Sequence, residues 1–69
     1  MEISDRINQI MEREKLSVAA FSRLTGIADQ TVRSVCVLRR NKPSFDFLLK
    51  IVQTYEWVNP EWLLTGNGD

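Results

Sequence analysis

Apolar residues recur along this chain at intervals of three and four, the period of helices that each bury one face. Ile3, Ile7, Ile10 and Met11 mark one side of a first helix expected over about residues 4 to 15. Ser17 can cap a second helix that carries Val18, Phe21 and Leu24, and Gly26 is a natural left-handed stop behind it. Ile27 precedes a third helix whose inward stripe is Val32, Val35 and Cys36. The period then breaks at Arg39-Arg40-Asn41-Lys42-Pro43, where Pro43 disfavours a helical Lys42 and a polar loop is expected. Ser44 can cap a fourth helix, with Asp46 well placed in its first turn and Phe47, Leu48, Ile51, Val52 and Tyr55 turned inward. Asn59 followed by Pro60 starts a short fifth helix, Pro60 to Thr65, which Gly66 ends. No strand-like alternation competes, so the pattern predicts an all-α fold of five short helices around one core. The tail Asn67-Gly68-Asp69 is expected to be flexible.

Sixty-nine residues allow one domain, spanning 1–69, and no second one. A chain this short buries only about 60% of its unfolded surface, so the core must be compact or a partner must help. The longest apolar runs are four residues, Val18 to Phe21 and Val35 to Leu38, whereas a membrane helix needs about 20. The acidic start, Met1-Glu2-Ile3-Ser4-Asp5, does not fit a signal peptide, and a single cysteine suits a reducing compartment. A cytoplasmic location without membrane contact is the expectation.

Composition also removes most chemistry. Without histidine there is no Ser-His or Cys-His pair and no imidazole metal ligand, and one thiol cannot build a zinc site. Glycines at 26, 66 and 68 do not make a phosphate-binding loop. The expectation is a protein that is not an enzyme and takes no cofactor and no metal.

Nine bases balance nine acids, which at first argues against nucleic acid. The balance hides an asymmetry. Residues 17–50 carry six bases against two acids, while residues 1–16 carry three against four and residues 51–69 carry three acids and no base. The basic centre coincides with two short helices joined by a glycine-containing turn, Ser17–Thr25 and Ala28–Val37, the helix-turn-helix arrangement. In DNA-binding use the second helix of such a pair enters the major groove. The same arrangement also serves as plain packing in small all-α domains.

Longer strings narrow the choice. Leu16-Ser17, Phe21, Leu24-Thr25-Gly26-Ile27, Thr31-Val32 and Val35 resemble the phage-repressor and Cro-type (XRE-type) helix-turn-helix domain. Asn41-Lys42-Pro43-Ser44-Phe45-Asp46-Phe47-Leu48 and Asn59-Pro60-Glu61-Trp62-Leu63-Leu64-Thr65-Gly66 resemble the fourth and fifth helices of that family. The resemblance covers roughly residues 3 to 68. It implies a five-helix domain of a transcriptional regulator that binds double-stranded DNA, typically as a homodimer on a palindromic operator.

Carried over position by position, the family's base-reading residues fall on Asp29, Gln30, Thr31, Arg33 and Ser34. The chemistry suits them: Gln30 can pair with adenine, Arg33 with guanine, and the Thr31 methyl can meet thymine. Asp29 can accept from a cytosine amino group, or can serve only as an acid favoured at a helix start, where it can also supply the cap that Ala28 cannot. The backbone-contacting positions fall on Ser17 and on the loop Arg39, Arg40, Asn41 and Lys42, which suits phosphate oxygens, and Arg23 can join them.

The chain departs from the family at several positions. Val18 stands where glutamine is common, and Val37-Leu38 where Asn-Gly is common, so the third helix should run on or end differently. Met11 and Cys36 stand where many relatives carry a buried Arg–Glu pair, and losing both partners strands no charge. Cys36 is expected in the core, as is Trp62. Val37, Leu38 and Trp57 are open between core and dimer face. Two rivals share the scaffold: a protein-interaction module that reads no DNA, and the antitoxin half of a toxin–antitoxin pair.

Overall fold

The fold is set by where helices start and stop. In the computed structural model, which describes residues 2–68, the order is α1 (Ile3–Arg13), α2 (Val18–Thr25), α3 (Asp29–Val32) continuing directly as a π-helical segment (Arg33–Val37), α4 (Phe45–Thr54) and α5 (Pro60–Thr65). Counting α3 and its π-helical continuation as one, these are five helices, with no strand among the described residues. The caps expected from sequence are in place. Ser17 Oγ accepts from the Ala20 N–H and Ser44 Oγ from the Phe47 N–H, each at 3.2 Å. Asn59 Oδ1 accepts from the Glu61 N–H at 2.9 Å, next to Pro60. Each such cap stabilises its helix by about 1 kcal/mol.

One helix end differs from expectation, and a second is altered, as its missing glycine announced. α1 stops at Arg13, before residue 15, because Lys15 turns left-handed (φ 56°) and lets the Leu16 N–H reach back to the Met11 carbonyl at 2.9 Å. The third helix does end at Val37, but through a π turn: the Leu38 N–H donates to the Arg33 carbonyl, five residues back, at 2.8 Å. With Val37-Leu38 in place of a glycine, the left-handed residue is displaced to Arg39 (φ 55°).

The core draws on every helix. Ile7, Ile10 and Met11 of α1 meet Phe21, Val32, Val35, Cys36, Phe47, Ile51, Tyr55 and Leu63 in one buried cluster. Phe21 and Tyr55 stack with ring centroids 6.1 Å apart. Met11 and Cys36 are both buried and apolar here. Val18, Leu48, Val52 and Trp62 are half-buried against the cluster. Of the apolar residues expected on α2, Leu24 does not join: it is 59% exposed, and Thr25 is buried in its stead. Thr25 Oγ1 donates to the Phe21 carbonyl at 2.7 Å and accepts from the Ile27 N–H at 3.3 Å, which fixes the turn around Gly26 (φ 78°).

Arg6 is also buried, on the inner face of α1. Its Nε donates to the Leu63 carbonyl at 2.9 Å and its Nη2 to the Leu64 carbonyl at 3.2 Å, tying α1 to the last turn of α5. A cation at that end complements the helix dipole and satisfies carbonyls that the helix leaves open. Gly66 (φ 85°) passes so close that a Cβ there would sit 3.3 Å from the guanidinium. The Cα radius of gyration is 10.7 Å, matching the roughly 11 Å expected for a packed chain of this length. No helix among the described residues is long and apolar enough to cross a membrane. In the tail, the Asn67 N–H donates to Thr65 Oγ1 at 3.2 Å, and Asp69 lies outside the described residues.

Candidate nucleic-acid interface

Helical spacing divides the third helix into two faces. Val32, Val35 and Cys36 are buried, and that inner stripe turns the other positions outward. Gln30, Thr31 and Arg33 are exposed, while Asp29 and Ser34 are half-buried. Gln30, Arg33 and Ser34, spaced three and four apart, form one outward stripe. Burial pushes the Cys36 thiol up to about 11, against a smaller opposing pull from Arg39, so at neutral pH it is a protonated core group and no nucleophile.

The first turn of α3 has no side-chain cap, since Ala28 occupies the N-cap position. Asp29 does not supply one. Its Oδ1 instead accepts from Nε of Arg33, one turn on, at 2.7 Å. The Arg33 side chain is 56% exposed and the Asp29 side chain 44%, so the pair contributes at most about 1 kcal/mol to stability. Its effect is on direction: it fixes where the Arg33 guanidinium points.

The cationic loop folds back on this helix. The Arg40 N–H donates to the Ser34 carbonyl at 2.9 Å, bringing the loop beside the outward stripe. Arg39, Arg40, Asn41 and Lys42 are all exposed. With Pro43 and the start of α1 (Glu2, Ile3, Ser4) they line a groove of about 350 Å³. Arg39 is tethered there, its Nη2 donating to Asp5 Oδ1 at 2.6 Å. Asp5 also accepts from the Glu2 N–H at 3.0 Å. That backbone bond first, and Arg39 second, hold its carboxyl below the usual range. Arg40 and Lys42 make no ion pair among the described residues.

Ser17 and Arg23 stand apart from this group. Ser17 caps α2 and Arg23 lies exposed in its last turn. Among the described residues, no hydrogen bond or ion pair joins either to the third helix or the loop. Trp62 is half-buried against the core, as expected. Trp57, open between core and partner, is an exposed side chain lying under the Arg13 guanidinium at 4.3 Å, with Nε1 donating to Glu14 Oε2 at 2.9 Å. Val37 and Leu38 are also exposed. Phe45, which the sequence pattern did not single out, is 79% exposed at the far end of the same loop. Its position at the first residue of α4, outside the Phe47–Ile51 stripe, was the available signal.

No protein-family model, curated protein or solved structure matches this chain.

Proposed function

We propose that this chain is the sequence-specific DNA-binding domain of a transcriptional regulator, not an enzyme. In this reading α2, the Gly26 turn and the third helix act as a helix-turn-helix of the XRE type, and two copies bind a palindromic operator in the cytoplasm. The carrying observation is a sequence of neighbours: the outward residues Gln30, Arg33 and Ser34 run into the exposed loop Arg39 to Lys42, whose Arg40 N–H is hydrogen-bonded to the Ser34 carbonyl. The stripe offers donors and acceptors to base edges, and the loop offers cations to phosphates. Phosphate contacts set the register, and the helix then selects the sequence. Two copies would place their third helices about 34 Å apart, in successive major grooves. The zero net charge keeps non-specific affinity weak, so specific binding depends on base contacts and on pairing.

Exposed Val37, Leu38 and Phe45 favour a second reading, a protein-interaction module on the same scaffold or an antitoxin that also grips its toxin. Selection of duplex DNA from a random pool at two salt concentrations separates the two. The DNA-binding function expects an enriched palindrome, and Arg40→Ala should lower the salt slope by about 0.9 with base preference unchanged. No enriched sequence would leave the interaction module as the better account.

A further inference from the structure

Within the proposed interface Asp29 is an anomaly, because a carboxylate facing a duplex meets phosphate repulsion. Its contact explains its presence. Asp29 approaches Arg33 from the side, at Nε (2.7 Å), and not at the tip of the guanidinium. Side-on pairing fixes the plane and direction of the group. It leaves Nη1 and Nη2 without a partner among the described residues. Those two amino groups are parallel donors, the arrangement that fits O6 and N7 on the major-groove edge of guanine. Arg39 shows the other possibility, since there the aspartate takes Nη2 itself.

We propose that Asp29 is a positioning residue: it holds Arg33 with its tip outward, and the two together read a single guanine. This rests on the DNA-binding function proposed above. The acid lies one turn ahead of the base, the favourable order on a helix, and in the first turn, where the dipole favours it. The guanidinium is therefore set before DNA arrives, and less side-chain freedom is lost on binding. Asp29 itself touches no base in this arrangement, unlike a direct acceptor for cytosine.

The test is selection of duplex DNA by the full chain as wild type, D29A, D29E and R33A, with thermal melts of each. R33A should lose preference for guanine at one position by about 5- to 150-fold. D29A should lose preference by a smaller factor at that same position while binding all duplexes more tightly, because a negative charge is gone. D29E, which can restore the pair, should recover the preference. Both side chains are exposed, so the melts should barely move. Loss at a different base pair in D29A, or no loss at all, would overturn the positioning role while leaving DNA binding intact. A wild type that enriches no sequence would overturn the DNA-binding function, and this role with it.

Discussion

Two regions of the molecule use arginine in opposite ways. At the seam between α1 and α5, Arg6 is buried and donates from Nε and Nη2 to the Leu63 and Leu64 carbonyls. On the third helix, Arg33 is exposed and, among the described residues, is anchored through Nε alone with its tip open. Arg39 in the following loop is intermediate, exposed but tied at its tip to Asp5. The residue type is the same in all three places, and the partner decides the role. Carbonyls at a helix end absorb a guanidinium into the fold, whereas a side-on carboxylate orients one outward.

The largest effect should come from Arg6. Arg6→Met keeps most of the side-chain volume but removes the donors, leaving the carbonyls of α5 poorly satisfied. The expected loss is about 2–4 kcal/mol, at roughly 1–3 kcal/mol per unpaired buried group. In a domain of this size that lowers the melting temperature by about 10–25 °C. A melt that hardly changes would mean the buried guanidinium does no more for the fold than the exposed one.

Next is Arg33→Lys, which preserves charge but not the planar fork. Under the proposed function it should cost about 1–3 kcal/mol at a single base pair, with the melting temperature and the salt slope unchanged. A uniform loss over all duplexes would make Arg33 a phosphate contact and collapse the distinction between helix and loop.

The sequence-level pattern located the helices well because their signals are local. Ser17, Ser44 and Asn59 cap the helices they precede, and the inner stripes of the third and fourth helices are the apolar ones expected. Arg6 was visible only in hindsight: it follows Ile3 by three residues, so spacing put it on the buried face, but its partners lie 57 and 58 residues away. Leu24 and Thr25 were nearly equivalent by period, and the turn chemistry of Thr25 decided between them. The missing glycine after the third helix announced an altered ending but not its form. A longer α-helix and a π turn both answer the loss of an easy left-handed cap. Of the candidate interface, residue types were legible, whereas the Asp29–Arg33 and Arg40–Ser34 contacts depend on rotamer and turn geometry that residue type does not fix.

The π turn moves the left-handed residue to Arg39, where φ is 55°. A glycine there avoids the Cβ clash that any other residue meets. Arg39→Gly and Arg39→Ala both remove the exposed pair with Asp5, so their difference isolates the backbone. The glycine variant should be more stable than the alanine variant by about 1 kcal/mol, or about 4–8 °C in the melt. Equal melts would show that the loop gives way without cost.

The smallest effect concerns the other end of that tether. Asp5 holds a carboxyl below its ordinary value of 3.8, first through the Glu2 N–H and then through Arg39. A carboxylate depressed in the folded state adds stability that is fully present above the unfolded value and fades as pH falls through the folded one. The contribution should therefore be intact at neutral pH and disappear with acidification below about pH 4. Asp5→Asn keeps an acceptor for the Glu2 N–H but loses the charge that Arg39 meets. Wild type should melt slightly above this variant at pH 7, and the gap should narrow as pH falls below about 4. Arg39→Ala should show the same closing gap, whereas Arg33→Ala should not lose its difference through Asp5. If Asp5→Asn left the acid limb of the stability curve unchanged, the Arg39 tip would be as unconstrained as that of Arg33, and the two arginines would differ only in backbone conformation.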